Sequence, residues 1–127
     1  MIVAVAISKG GAAKTTTATS VASYMATVGR TLIVDTDSQG HSAMALGLRP
    51  EPGLYQYLVA DQPAKSLIRP ARQLSQYGLD ILPGDTKTKT VDLIFRMEPE
   101  GANQLAHKLL AVASLYDYTV IDTPSQG

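Results

Sequence analysis

The sequence contains no cysteine, and this absence excludes two ways of stabilising a fold. Neither a disulfide bond nor a thiolate metal site can form without the thiol group. The absence also leaves the redox compartment of the protein open, because cysteine usage is the feature that would indicate it. Any metal site in this chain must therefore lack thiolate ligands.

Net charge and long apolar runs are lacking as well. The 11 basic and 11 acidic residues cancel, so bulk charge gives no argument for a nucleic-acid partner. The apolar run at residues 2–7 is too short to span a membrane, and no basic residue precedes it as in a signal peptide. We therefore expect a soluble, cytoplasmic protein that does not associate with membranes.

What is present is typical of a globular domain. Hydrophobic residues make up 45% of the chain and charged residues 17%, a composition unlike that of disordered proteins. A chain of 127 residues has the length of one domain and can bury roughly two-thirds of its unfolded surface. We expect one domain over residues 1–127.

Strand and helix patterns alternate along the chain. Short apolar runs rich in β-branched residues predict strands at residues 2–7, 31–34, 79–82 and 118–121. Three- and four-residue spacing predicts helices at residues 14–28 and 102–115, and we expect further helices at residues 54–59, 67–76 and 86–97. The predicted buried stripe of the first helix is Ala18, Val21, Ala22, Met25 and Val28, and that of the last is Leu105, Ala106, Leu109, Leu110 and Ala113. Gly29 stands where a helix C-cap is expected. The alternation predicts an α/β fold, with a parallel sheet and helices on both faces.

Residues 8–18 read SKGGAAKTTTA and lie between the first predicted strand and helix. Ligands of open parallel sheets bind beyond the carboxyl ends of the strands. Glycines there let backbone N–H groups turn towards phosphate oxygens, and the helix dipole favours negative charge. Lys14 supplies a point charge for the terminal phosphates, and the Thr15 hydroxyl is placed to ligate Mg²⁺. We interpret the stretch as a phosphate-binding loop; the alternative is a small-residue turn with a solvated lysine.

The ordinary loop pattern, G-x-x-x-x-G-K-[ST], fails at Ser8 and Ala13. Residues 9–16, KGGAAKTT, resemble instead the deviant loop K-G-G-x-G-K-T-T of the ParA/MinD family of partition and positioning ATPases. Residues 35–40, DTDSQG, resemble its D-x-D-P-Q-G segment, and residues 116–124, YDYTVIDTP, its Y-D-Y-x-x-I-D-T-P-P segment. The resemblance implies the P-loop NTPase fold, and the D-x-D-x-Q-G form points to the ParA branch.

The resemblance also implies a role for each matching residue, with ATP and Mg²⁺ as the bound groups. Lys14 would hold the β- and γ-phosphates, Lys9 would reach a partner's nucleotide across an ATP-sandwiched dimer, and Asp37 would position the attacking water. The implied metal-site residues are Thr15, Asp37 and Asp122. The implied nucleotide-binding residues are Lys9, Gly10, Gly11, Ala12, Ala13, Lys14, Thr15 and Thr16.

Ala13 replaces the glycine before the loop lysine and leaves three possibilities open. A glycine there commonly adopts a backbone angle that a residue with a Cβ dislikes, or lets phosphate approach closely. Forcing alanine to positive φ costs about 1 kcal/mol or somewhat more, and a cost somewhat above 1 kcal/mol weakens binding by about tenfold without abolishing it. The chain is then a weaker ATPase, a nucleotide-binding protein with little turnover, or an impaired variant.

Length is the second departure from the family, whose domains are roughly twice as long and have a larger core. The resemblance implies that the other half carries the adenine contacts and a surface for non-specific DNA binding. It also implies a ParB-like or adaptor protein as partner. Because the loop strand lies inside the family's sheet, we expect it to form an unpaired apolar edge here. We expect such a half-domain to dimerise or exchange strands, to be completed by another chain, or to be part of a longer protein.

Four classes of function remain in competition. The first is a dimerising ATPase that partitions or positions DNA or another large cargo. The second is a related enzyme, but nitrogenase-reductase relatives need cluster-binding cysteines, and no biosynthetic substrate pocket is identifiable. The third is a MinD-like membrane positioner, which needs a C-terminal amphipathic helix where this chain has TPSQG. The fourth is a pseudo-ATPase that serves as an interaction module.

Overall fold

The structure of the chain is a computed structural model that describes residues 2–5, 11–36, 44, 46–49, 52–73, 77–84 and 99–122. Its strands are β1 (Ile2–Val5), β2 (Thr31–Asp35), β3 (Arg69–Gln73), β4 (Gly78–Leu82) and β5 (Tyr118–Asp122). Its helices are α1 (Gly11–Met25), α2 (Leu54–Leu58), α3 (Ala64–Leu67) and α4 (Pro99–Ala113). In the described ranges, no helix is long and apolar enough to cross a membrane.

The strands form one sheet in the order β1-β5-β2-β4-β3. The β1–β5, β5–β2 and β2–β4 pairs are parallel, whereas β3 is antiparallel to β4. Among the described strands, β1 pairs only with β5 and therefore lies at an edge of the sheet. The sheet is thus mixed and mostly parallel, and the predicted α/β fold is confirmed.

Helix α1 covers one face of the sheet through small side chains. Ala18, Ala22 and Ala26 recur every four residues and are fully buried. They pack against Ile33 and Val120 of the central strands β2 and β5. Side chains four residues apart share one face of a helix, and alanine adds little bulk, so this face lets α1 lie close to the sheet.

The other face of the sheet is covered by α2, α3 and α4 through larger side chains. Alternation along β2 points Leu32 and Val34 away from α1, towards this second layer. The helices contribute buried side chains to the same cluster: Leu54, Leu58, Leu67 and Val112. Each fully buried leucine or valine contributes about 1.5–3 kcal/mol relative to exposure. Helices therefore lie on both faces, as the strand–helix alternation predicts.

The prediction of a helix at residues 67–76 is wrong. Helix α3 ends at Leu67, and Arg69–Gln73 forms strand β3 instead. Pro70 explains the difference, because proline lacks the backbone N–H of a helix interior and biases the residue before it towards extended backbone. The predicted helix at residues 86–97 lies outside the described residues.

The other elements agree with prediction to within a few residues, although their buried faces differ in part. Val28, predicted on the buried stripe of the first helix, lies beyond the end of α1 at Met25 and is 56% exposed. On α4, Ala106 and Leu110 are exposed, and Val112, which the predicted stripe omits, is buried. The buried face of α4 is therefore rotated relative to the predicted one.

Gly29 follows the end of α1, where a C-cap is predicted, and its N–H donates to the carbonyl oxygen of Met25 at 3.0 Å, but it does not have the left-handed backbone common at such positions. Among the described glycines, only Gly47 has positive φ. A Cβ added at Gly29 would lie 2.6 Å from Cε2 of Tyr118 and 3.0 Å from Cβ of Asp117. The glycine is thus required because the chain between α1 and β2 passes close to the start of β5.

Candidate functional site

The carboxyl ends of three parallel strands, β1, β5 and β2, lie side by side at one end of the sheet. The register places Asp122 of β5 beside Val5 of β1 and Asp35 of β2. Both carboxylate residues are fully buried. Thr36 fixes the junction, because its backbone N–H and its hydroxyl donate to the carbonyl oxygen of Asp122 at 2.9 and 2.7 Å. Two acidic residues are thereby held together at the carboxyl end of the sheet.

The N-terminus of α1 belongs to the same end of the sheet. Side chains two residues apart in a strand point to the same face of the sheet. Asp35 therefore lies on the face of Ile33, and Asp122 on the face of Val120, and this is the face that α1 covers. Helix α1 begins at Gly11, shortly after the end of β1 at Val5. The helix N-terminus and the two acidic strand ends thus define one candidate site.

The first turn of α1 has the chemistry of an anion site. The first four N–H groups of an α-helix have no partner within the helix, and the helix dipole places partial positive charge there. In α1 these groups belong to residues 11–14, which are the N–H donors that the phosphate-loop interpretation requires. The backbone of this segment therefore fits an anionic oxygen group.

Ala13 does not have the strained backbone that the glycine-containing loop pattern suggests. It lies inside α1, and its φ is not positive, because among the described residues Asp61 is the only non-glycine residue with positive φ. Alanine is the residue most favourable to helix, so Ala12 and Ala13 explain why α1 begins three residues before the predicted start at Lys14. The expected cost of positive φ at Ala13 thus does not apply in this structure.

The predicted site residues divide into three groups. Lys9, Gly10 and Asp37 lie outside the described residues. Gly11, Ala12, Ala13, Lys14, Thr15 and Thr16 are described as backbone of α1. Asp122 lies where it was predicted, at the end of β5. The proposed roles of Lys9, Lys14, Thr15 and Asp37 therefore stay predictions.

Magnesium would suit the donors at this end of the sheet. Mg²⁺ binds one or two carboxylates together with water and phosphate oxygens, rather than an all-protein cage. Asp122, which the resemblance assigns to the metal, has a carboxylate that supplies hard oxygen donors, and the buried Asp35 lies beside it. In the part of the chain that the structure describes, no three His, Asp or Glu residues form a metal-binding group. This donor set fits a metal that is shared with a phosphate ligand.

Asp35 is the member of the site to which the sequence analysis gave no role. It is the first residue of the DTDSQG segment, in which the resemblance assigns the catalytic role to Asp37. A signal was nevertheless present, since the strand sequences TLIVD and YTVID both end in aspartate. Parallel strands in register bring such equivalent ends together.

Comparison with known proteins connects this geometry to a family. A protein-family model described as an AAA domain, AAA_31, matches residues 1–126. The chromosome-partitioning ATPase Soj of Thermus thermophilus is 36% identical over 124 residues, covering 96% of this chain and 45% of Soj. The chromosome partitioning protein ParA of Myxococcus xanthus is 31% identical over 127 residues, covering 97% of this chain and 44% of ParA.

A solved structure gives the same result for the fold. Cobyrinic acid a,c-diamide synthase from Mycobacterium smegmatis, with bound ADP and magnesium, superposes with a TM-score of 0.80 at 28% identity. The match covers 97% of this chain and 50% of the synthase. The chain thus spans about half the length of the proteins it matches. It belongs to the AAA-domain family of that model and, within it, to the ParA/MinD family in its partition branch, whose N-terminal portion it matches.

Proposed function

We propose that the chain is the nucleotide-binding part of a ParA-like ATPase, which binds ATP with Mg²⁺, dimerises, and hydrolyses ATP to partition or position DNA or another large cargo. The observation that carries the proposal is the shared end of the sheet. There, Asp35 and Asp122 are buried side by side at the strand ends, Val5 of β1 lies beside Asp122, and α1 begins at Gly11, shortly after β1.

The residues of this end of the sheet have complementary tasks in phosphoryl transfer. The N–H groups of residues 11–14 hold the α- and β-phosphates, and Lys14 neutralises the β- and γ-phosphates. Thr15 and Asp122 hold Mg²⁺, together with Asp37; the metal, when bound, neutralises charge that develops on the phosphate oxygens. Asp37 also orients the attacking water. Because this reaction depends on positioning and charge neutralisation, these groups suffice for it.

Dimerisation and partners follow from the family rather than from the described contacts. Lys9 reaches the nucleotide of a second copy and acts as an arginine finger does in other NTPases. A ParB-like or adaptor protein stimulates hydrolysis, and non-specific DNA binds the half of the family domain that this chain does not cover. The Soj and ParA names of the relatives support a role in partition, and the bound ADP and magnesium of the related synthase support the cofactors.

Equilibrium binding of a fluorescent ATP analogue, with and without Mg²⁺, tests the nucleotide site. We expect Mg²⁺-dependent binding that Lys14→Ala weakens by at least about tenfold, because a charge-assisted phosphate contact is lost. Arg49→Ala is the matched control, since it removes an exposed cation outside the loop. Ala13→Gly should change affinity by less than about threefold, because no positive φ is relieved. Absence of binding to the unmodified chain would end the proposal for this chain.

The alternative is a pseudo-ATPase, a nucleotide-binding interaction module with little or no turnover. It is favoured by Ala13, whose methyl group stands where the family loop has glycine. Release of inorganic phosphate from Mg·ATP separates the two functions. Hydrolysis that is lost in Lys14→Ala and in Asp37→Ala supports the ATPase, whereas binding without phosphate release supports the module.

A further inference from the structure

A second cavity lies at the end of the sheet opposite the phosphate site. It has a volume of about 570 Å³, within the usual range of ligand sites. Arg30, which lines it, precedes the start of β2, and Tyr116 precedes the start of β5. Since β2 and β5 are parallel, both strands start at the end of the sheet opposite Asp35 and Asp122. The cavity is thus separate from the proposed nucleotide site.

The walls of this cavity combine apolar surface with basic groups. Ile68 and Leu115 contribute apolar side chains, and that of Leu115 is 60% exposed. Arg30 and Lys65 contribute two cations. The exposed Lys65 forms no ion pair with any residue in the described ranges. The cavity therefore offers an apolar contact next to a cation that is available to a ligand.

The single acidic group of the lining is already engaged. The hydroxyl of Tyr116 donates to Oδ2 of Asp80 at 2.7 Å. Burial, with this hydrogen bond and the charge of Asp80, raises the pKa of Tyr116, so the phenol stays a donor at neutral pH. The Arg30 guanidinium lies 5.3 Å from the centroid of the Tyr116 ring. With Asp80 satisfied by a neutral donor, the two cations leave the cavity with an excess of positive charge.

The position of Arg30 is fixed by the backbone around it. Its N–H donates to Oδ2 of Asp117 at 2.9 Å, and its carbonyl oxygen accepts from the N–H groups of Asp117 and Tyr118 at 2.9 and 3.1 Å. The stacked Tyr116 ring in turn is held by Asp80. A binding surface that is ordered before the ligand arrives loses less conformational entropy on binding.

We propose that this cavity docks an acidic segment of a partner protein, with a leucine-sized side chain against Ile68 and Leu115 and carboxylates at Arg30 and Lys65. Charge complementarity selects this occupant, because two basic residues line the cavity together with apolar side chains, and the one acidic residue of the lining is engaged by Tyr116. Recognition of acidic motifs by fixed basic side chains is a recurrent mode of peptide binding. Leu115 and Lys65 are exposed, so an extended segment can reach the cavity from the protein surface.

Three capped hexapeptides test the proposal, with sequences EELLDE, KKLLKK and EEGGDE. Amide chemical shifts of the ¹⁵N-labelled chain locate each peptide, and fluorescence anisotropy measures its affinity, both without nucleotide. We expect EELLDE alone to shift the residues around the cavity, with an affinity that falls as salt is added. Equal binding of EEGGDE, binding of KKLLKK, shifts confined to another surface, or no binding at millimolar peptide would each overturn the proposal.

Variants then separate the two kinds of contact. Lys65→Glu should weaken EELLDE binding by about fivefold, because an exposed attraction becomes a repulsion, and Lys65→Arg should restore it. Leu115→Ala should weaken it by about threefold through lost apolar contact. Arg49→Glu, with the same change of charge outside the lining, is the control and should leave binding unchanged. An equal effect of Arg49→Glu and Lys65→Glu contradicts a local site. Because nucleotide is absent, none of these results depends on the phosphate loop.

Discussion

Strand β3 closes one edge of the sheet and β1 lies at the other, and the two strands differ in how they are protected from further pairing. β3 carries an exposed proline, Pro70, a register shift between Pro70 and Arg72, and two arginines within the sequence RPARQ. The sequence of β1 is IVAV, and its first residue, Ile2, is 46% exposed. Proline, bulges and charge are the usual means by which natural edge strands avoid association.

The difference indicates which edge is the natural boundary of the sheet. β3 is built as an outer strand, and polar contacts tie it to the loop beside it. β1 has the uninterrupted apolar sequence of a strand that lies between two others in a parallel sheet. Since the proteins it matches are about twice as long, we expect a further strand to cover β1, either from a longer form of this chain or from a second molecule.

The largest effect is expected on the β3 side, at Arg69. Its two guanidinium nitrogens, Nη1 and Nη2, donate to the carbonyl oxygens of Arg49 and Pro52 at 2.5 and 2.8 Å. Arg69→Ala should lower the free energy of unfolding by about 2 kcal/mol, because two hydrogen bonds from a charged group are lost. Urea denaturation measures it. Arg69→Lys keeps the charge without the planar fork and should recover less than half of the loss. Unchanged stability in Arg69→Ala would show that these bonds do not hold the β3 edge.

A change of about tenfold in self-association is expected when the protection of the two edges is altered. Ile2→Lys places a charge on the β1 edge and should weaken association of the chain by about that factor. Pro70→Val removes the proline from β3 and should strengthen association at the opposite edge. Sedimentation velocity over a range of concentrations measures both.

Thr27→Lys is the matched control for this pair. Thr27 is exposed in the turn after α1, so the introduced lysine adds the same charge away from both edges. It should leave association unchanged. A chain that stays monomeric at every concentration, with Ile2 intact, contradicts the view that β1 is an open edge.

The same two edges show how far the fold could be predicted from sequence. β1 belongs to the continuous apolar runs that identify buried parallel strands, and the central strands β2, β4 and β5 were predicted for the same reason. β3 was missed because residues 67–76 were predicted as one helix although Pro70 lies inside that range, where proline disfavours a helix. Edge strands are short and partly polar, so apolar periodicity identifies them poorly.

The candidate site was predictable to a similar extent. The motif at residues 9–16 and the strand-end aspartate Asp122 were recognised through their resemblance to segments of the ParA/MinD family. The pairing of Asp35 with Asp122 needed the register between β2 and β5, which a single sequence does not specify. The backbone of Ala13 was also out of reach, because a glycine-containing pattern suggests positive φ and the start of α1 removes the need for it.

The smallest expected effect concerns Thr119 of β5, which lies beside Ile2 of the open edge strand. Its Oγ1 is buried and, within the described part of the chain, has no hydrogen-bond partner. A buried polar group without a partner destabilises the fold, so Thr119→Val, which has the same shape, should raise the free energy of unfolding by about 1 kcal/mol. Thr31→Val is the contrasting variant, because the buried Thr31 hydroxyl donates to the carbonyl oxygen of Gly29 at 3.1 Å and its loss should destabilise. Urea denaturation of both variants, side by side, gives the sign of each change. If Thr119→Val destabilises as Thr31→Val does, then the Thr119 hydroxyl has a partner in solution, and the buried hydroxyl of β5, beside the open edge strand, is as well satisfied as that of β2.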